Sequence, residues 1–508
     1  MAEQRQNYKY ESVAGQEGGD VEKYRVHDEE VQVTVMQQQK PSTSRTFQYI
    51  AACTANLAGF TCGITLGWTS PVLPKLETLQ DNPLGAIVSA DDSGWIGSLL
   101  PLGAALGPFL AGALSDKIGR KRTLLYGNLP FIVGLVLNIM ATSVNYFLLS
   151  RFLCGIAVGL TFTVLPMYVG EIAEDEIRGA LGTLLQLFTT LGLLFSFGVG
   201  PYTTFTTFNV ACLVVPVVFL VTFFLFIPES PYFLLQAGNE DEAEAALMKL
   251  RSTTEVQDVK RELDDMKSSV ADALANKSSF GDIFKNKGLT RAYILANGLL
   301  VFQQVSGINI VLFFAQSIFQ DAGVALAPEI CTIAIGTVQV VASGASSVLI
   351  DRSGKRFLLM LSALGMAVSQ MVLAYFFHLK DDKGEDVTSL SWLPICCLVG
   401  YIITYCLGFG PIPWAVMGEM FPANVKSVAS TATAATCWFF GFLITKYFGI
   451  VAALIGKSGS FGVFGVCCVV GFVFVYKFLP ETSGKSLQEI QDILNGRSTT
   501  KDVEEEKN

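Results

Sequence analysis

Two glutamines and an asparagine stand inside an otherwise apolar run, "FQQVSGINIV", residues 302–311. An unpaired amide costs roughly 2–7 kcal/mol to move from water into an apolar medium. Gln303, Gln304 and Asn309 therefore need partners. An amide both donates and accepts hydrogen bonds, and it carries no charge. Two kinds of partner fit: a neighbouring helix, with the amides as interhelical glue, or a neutral hydroxyl-bearing molecule in a cavity. Glue is worth only about 0.6 kcal/mol per bridge on average. Three amides within seven residues, beside the helix-breaking Gly307, favour the second reading. Broken backbone at membrane depth is tolerated where it lines a cavity.

The elements that must position these amides are membrane helices. The chain has 508 residues, 51% hydrophobic and 16% charged, with a mean hydropathy of +0.47. A soluble domain is about 25% charged. A membrane helix needs about 20 mostly apolar residues. Twelve stretches qualify: 46–67, 93–113, 124–143, 147–170, 180–203, 207–227, 291–316, 328–350, 357–378, 392–417, 428–451 and 460–479. Much of the net charge of −9 sits in the polar ends, read as tails at 1–45 and 480–508. Residues 228–290 read as short helices linking two bundles, 46–227 and 291–479. The expected fold class is an all-α membrane protein: twelve transmembrane helices in two pseudo-symmetric six-helix bundles with a cytosolic helical linker.

Loop charge orients the spans. "SDKIGRKR" at 115–122 holds four bases and one acid, and "DRSGKR" at 351–356 holds three and one. The loops on the other side, around 71–93 and 380–386, are acidic. The basic loops, the linker and both termini are thus expected in the cytosol.

The chain also repeats itself. "SDKIGRKR" returns 235 residues later, "GEIAEDEIRG" at 170 returns after 248 as "GEMFPANVKS", and "PESP" at 228 returns after 252 as "PETS". In both halves an acid and a base stand seven apart, Glu171 with Arg178 and Glu419 with Lys426. Two parallel six-span repeats around a midplane site is a transporter plan. The eleven cysteines lie in apolar runs and read as small buried hydrophobes. With only two histidines, His27 and His378, no metal cluster is legible. No cofactor, nucleotide loop, nucleophile–base constellation or nucleic-acid partner is indicated, so no enzyme is expected.

Eight motifs in order carry a resemblance: "DKIGRKR", "RFLCGIAVG", "GEIAEDEIRG", "PESPYFL", "QQVSGIN", "DRSGKR", "GPIPWAVMGEMFP" and "PETSGKSL". The chain resembles the sugar porter family of the major facilitator superfamily from Phe47 to Ile490. Within it, "LGFGPIPW" and "FLITKYF" look most like the insect trehalose transporters and the related animal hexose carriers. The resemblance implies sugar contacts at Gln186, Gln303, Gln304, Asn309, Gln339 and Trp414. Gln339 departs from an asparagine common in relatives. Phe313 and Trp438 become gate candidates. Cys437 and Gly441 stand where many hexose carriers have polar residues, so the eleventh span is expected to lose two partners and open some volume.

The resemblance also implies a switch. Asp116, Arg120, Arg122, Arg151, Glu171, Arg178, Asp351, Arg352, Arg356, Glu419 and Lys426 are expected near cytosolic helix ends. There they would form salt bridges between the halves, where a plainer reading would give them only a topological role. Proton-coupled relatives place an aspartate in the first span, where this chain has Thr69. A proton relay needs an ionisable group in the membrane. The expectation is therefore a facilitative, uncoupled sugar carrier of the trehalose or glucose type. The alternatives are a proton-coupled symporter and a sugar sensor, the latter disfavoured by a short C-terminal tail. The one sequon noted, at Asn276, falls on the cytosolic side. The carrier is expected as a multi-pass, monomeric protein of the plasma membrane, its partners being the sugar and the lipid bilayer.

Overall fold

The computed structural model describes residues 44–495, apart from positions 80, 276–279, 484 and 486. It adds a short antiparallel pair in the N-terminal tail, Tyr24–Val26 with Glu29–Val31. The remaining tail residues and Asn276 lie outside the described residues, as do the side chains of Asp351 and Arg352.

The other described elements are all helices, joined by short loops. The spans are Thr46–Leu76, Ala90–Ile118, Arg120–Ile139, Val144–Ile172, Asp175–Val199 and Phe205–Phe226 in the first half. The second half starts with Lys287–Phe313, Pro328–Ser353, Lys355–Asp382 and Thr388–Met420. One helix then runs Ala423–Phe478. Its 56 residues would reach about 84 Å at 1.5 Å each, far beyond a hydrocarbon core of about 30 Å. It is two spans. Gly456 has φ 74° and ψ 169°, and the Phe448 and Phe464 rings stack at 6.1 Å across it. Sixteen residues of straight helix would hold those rings about 24 Å apart. The chain doubles back at Gly456, which gives the twelve expected spans.

Small residues let the spans close on one another. A Cβ on Gly103 would meet the Phe152 carbonyl at 2.2 Å, and one on Gly159 would meet the Ala104 carbonyl at the same distance. The second and fourth spans thus pack backbone to backbone, as small-xxx-small pairs do in lipid. Gly63 and Gly192 bring the first and fifth spans equally close.

The ends of the spans define two faces. The linker face carries the span starts at Thr46 and Lys287, the helices Pro231–Gln236, Glu240–Arg251, Val256–Ala275 and Asp282–Lys285, and the C-terminal helix Leu487–Asn495. The linker helices bury Leu234, Leu247, Val259 and Leu263 among themselves. Arg251 pins them to the bundle: it pairs with Glu262 and donates to the Ile172 carbonyl at 3.0 Å. The opposite, loop face carries residues 77–89, 200–204, 314–327 and Gly456.

Candidate functional site

The seventh span is a broken helix. It runs Lys287–Val305, turns at Gly307 with φ 88°, and resumes as Ile308–Phe313. A Cβ on Gly307 would sit 2.7 Å from the Phe464 ring, so both the backbone angle and the neighbouring ring demand glycine. The break is held by the ninth and tenth spans. Tyr401 donates to the Ser306 carbonyl at 3.1 Å, and Gln370 Nε2 donates to the same carbonyl at 3.2 Å.

The tenth span breaks at the same level, between Leu393–Leu407 and Ile412–Met420. Gln303 bridges the two breaks. Its Nε2 donates to the carbonyls of Phe409 and, at 2.9 Å, of Gly410. Gln304 and Asn309 form the second pair: Asn309 Nδ2 donates to Gln304 Oε1 at 2.8 Å, and Gln304 Nε2 donates to Cys437 Sγ at 3.2 Å. The three amides are at most 5% exposed. The three amides therefore make two kinds of contact. Gln303 spends its donors on freed backbone, while Gln304 and Asn309 hold each other and a weakly bonding thiol.

The eleventh span differs from the expectation. A Cβ on Gly441 would meet Asn309 Nδ2 at 2.8 Å and Gln304 Oε1 at 3.0 Å. The volume left by glycine is filled by the two amides, not left open. Cys437 supplies a sulfur contact to each glutamine, 3.8 Å to Gln303 Oε1.

The other expected ligand residues stand apart from this hydrogen-bonded group. Gln339 on the eighth span is buried, and its Oε1 has no partner among the described residues. Gln186 is half-buried on the fifth span. Trp414, half-buried on the short Ile412–Met420 helix, packs on the second-half core. Of the gate candidates, Trp438 meets Phe162 of the first half edge to face at 5.9 Å. Phe313 is wholly buried. Its neighbour Phe314 is the ring lying across the halves, 3.1 Å from a Cβ position on Gly97 and 6.1 Å from the Phe448 ring.

Among the described residues, the charged side chains of the expected switch pair within halves, not between them. Glu171 meets Arg120 at 3.0 Å and accepts from the Ser230 hydroxyl. Glu419 meets Lys355. Arg178 pairs with Asp175 one turn away, at 2.7 Å. Lys426, Asp116 and Arg122 are exposed and have no ion pair among the described residues. Arg356 donates from its side chain to the Tyr476 carbonyl. Arg151 corrects a second expectation. It lies eight residues into a span that begins on the loop face, far from the linker-face helix ends. It is buried there, donating to the carbonyls of Thr65 at 2.7 Å and Ile96 at 3.2 Å and lying over the Trp68 ring. Its second terminal nitrogen has no partner among the described residues.

Sequence reasoning missed Lys355, although the 235-residue offset places it on Arg120. It also missed the capping glutamates. Glu229 accepts from the Lys121 backbone N–H at 2.8 Å, and Glu481 accepts from that of Arg356 at 3.0 Å. Gly119 and Gly354, with φ 93° and 79°, leave room for those carboxylates. The three sequence repeats are thus one structural unit, built twice.

An ion pair and a hydrogen bond between the halves lie on the loop face. Lys446 meets Asp91 at 2.7 Å and lies 4.0 Å over the Trp95 ring. The Gln316 backbone N–H donates to Ser70 Oγ at 3.2 Å. This conformer is sealed on the loop face.

A family model described as "Sugar (and other) transporter" matches residues 42–494. The chain belongs to the sugar transporter family. It is a membrane carrier and not an enzyme. It is 38% identical over 463 residues to the "Facilitated trehalose transporter Tret1" of Culex quinquefasciatus, covering 90% of this chain and 88% of the relative. The Tret1 of Anopheles gambiae is 36% identical over 90% of this chain. The chain spans only 58% of that relative's length and 57% of the Aedes aegypti protein's. Among solved structures, the partially occluded inward-open xylose transporter XylE from E. coli aligns with a TM-score of 0.72. The identity is 21%, covering 87% of this chain and all of XylE. XylE bound to 6-bromo-6-deoxy-D-glucose gives 0.70 at 22% identity, over 88% and 99%. At this identity the likeness is one of fold, the major facilitator fold.

Proposed function

We propose that the protein is a facilitative carrier that moves trehalose, or a glucose-type sugar, down its gradient by alternating access. The observation that carries this reading is the meeting of two broken spans, seven and ten, at a group of neutral amides. Gln303 ties the breaks together. Gln304 and Asn309, with the unpartnered Gln339 oxygen and the half-buried Gln186 and Trp414, offer uncharged donors, acceptors and an indole face. Sugar hydroxyls need both donors and acceptors, and a sugar's C–H face suits an indole. The insect relatives described as facilitated trehalose transporters support the same reading.

The uncoupled mechanism rests on the first span. Thr69 stands at its loop-face end, and its hydroxyl is buried without a partner among the described residues. The nearby Arg151 is held by two carbonyls and a ring, with one terminal nitrogen left without a partner, and no ion pair of Arg151 to a carboxylate occurs among the described residues. A proton relay would need an acid there. The basic loops put the linker face, with both termini, in the cytosol. The conformer sealed on the loop face is then the inward-facing one, in a plasma-membrane protein that works as a monomer.

Uptake into vesicles of the reconstituted full chain tests this. Labelled trehalose or glucose should equilibrate without accumulating, and a protonophore should leave the rate unchanged. Accumulation that collapses with the proton gradient would establish a symporter instead. Failure to take up either sugar would overturn the substrate assignment.

A further inference from the structure

A cavity of about 170 Å³ opens on the loop face, directly over the Phe314 seam. It is separate from the amide group, which lies on the far side of Phe314 and Phe464. Both halves line it. Glu77 and Ser93 come from the first, and Phe314, Asp321, Phe448 and Phe461 from the second.

Its chemistry is that of a carbohydrate site. Phe314, Phe448 and Phe461 supply apolar ring faces: Phe314 and Phe448 lie 6.1 Å apart, and Phe448 and Phe461 6.3 Å apart. Glu77 accepts from the Ser93 hydroxyl at 3.1 Å on one oxygen. Its other oxygen has no partner among the described residues and no cation neutralises it. Asp321 is held by Lys457 at 2.7 Å, so the cavity also offers an ammonium group. On the measure by which one water needs about 10–15 Å³, the cavity admits a molecule of many heavy atoms, such as one pyranose ring. The phenylalanines continue inward. Phe448 stacks on Phe464, and Phe464 covers Gly307 at the amide group. A sugar leaving this cavity would meet an aromatic track that ends at the Gly307 break.

We propose that this loop-face cavity is an outer sugar subsite, which binds one pyranose ring through Glu77 and the Phe314–Phe448 platform while the seam beneath it is closed. The proposal rests on the sugar-carrier reading. It gives the sealed carrier a place to hold the next substrate molecule outside while the inner site empties.

Equilibrium binding of labelled trehalose to the full chain in lipid nanodiscs tests it. The parent should show two saturable classes. The double variant Gln304→Ala/Asn309→Ala should lose the inner class and keep the outer. Gly94→Leu projects a side chain into the cavity from a helix position where an added Cβ meets only the Lys446 carbonyl, at 3.9 Å. It should lose the outer class and keep the inner. Glu77→Gln, a milder change, should weaken the outer class by about three- to tenfold, the loss of a charged acceptor. A single class abolished by the amide variant overturns the outer subsite and leaves the carrier reading standing. So does a second class that neither Gly94→Leu nor Glu77→Gln alters. A parent that binds and transports no sugar overturns the carrier reading itself.

Discussion

Glu419 pairs with Lys355, sixty-four residues upstream in the same half, and not with Lys426 seven residues on. Its counterpart Glu171 pairs with Arg120 in the first half. Adding 235 to Arg120 gives Lys355, and adding 248 to Glu171 gives Glu419, so the two pairs are one contact repeated. These charges clamp each bundle internally on the linker face. They tie the end of the fourth or tenth span to the start of the third or ninth. In the conformer sealed on the loop face they do not tie half to half.

Charge reversal therefore gives a pattern that sequence spacing did not anticipate. The Lys355 and Glu419 side chains are 13% and 36% exposed, between the regimes of buried and surface pairs. Lys355→Met should cost about 1–3 kcal/mol in thermal unfolding. Lys426→Gln should stay within about 0.5 kcal/mol. The double exchange Lys355→Glu/Glu419→Lys should recover most of what either single exchange loses. Recovery by a Lys426 exchange instead would show that the pairing is wrong.

Gln303 and Asn309 should separate in their effects. Gln303→Ala strands the Phe409 and Gly410 carbonyls, so it should lower unfolding stability by about 1–3 kcal/mol as well as transport. Asn309→Ala strands no backbone carbonyl, only the Gln304 side-chain oxygen, which a rotation of that side chain can re-aim. It should raise the apparent KM for sugar at nearly unchanged thermal stability. Equal destabilisation by the two would make Asn309 structural too.

At Gly307 the left-handed backbone and the Phe464 ring act together. Gly307→Ala should cost at least about 1–2 kcal/mol from the backbone alone, with a further cost from the 2.7 Å clash. Pairing it with Phe464→Leu should relieve only the second part. Surface expression and melting temperature read this out, and a single substitution that melts like the parent would refute it.

Glu481 gives the linker face an acid limit. Burial works against its charged form, but N–H groups of Ser483, Arg356 and Lys355 and the Ser483 hydroxyl outweigh it and hold the carboxyl below its usual 4.5. A depressed carboxyl contributes stability that is fully present above its unfolded value. That stability is lost as pH falls through the lowered one. Glu481→Gln should therefore flatten the acid limb of the stability–pH curve and be least stable relative to the parent near neutrality. A parallel offset at every pH would remove Glu481 from this role.

How far sequence could go follows from what kind of information each feature needs. Hydropathy and length decided the twelve spans, because crossing lipid requires long apolar helices whatever their neighbours. The doubled motifs decided the two halves, and the amides beside Gly307 marked the break in the seventh span. Partner choice was not legible. On the linker face many acids and bases lie within reach of one another, and only the packing of the third, fourth, ninth and tenth spans selects Arg120–Glu171 and Lys355–Glu419. Likewise, "FF" at 313–314 does not say which ring turns toward the second span. The turn at Gly307 and the helix break between Ile308–Phe313 and Ala315–Ala322 set that. Cys437 and Gly441 read as lost partners in the string. In three dimensions one touches both glutamines, and the other makes room for Gln304 and Asn309, because contacts across 130 residues are fixed by how helices close and not by their order.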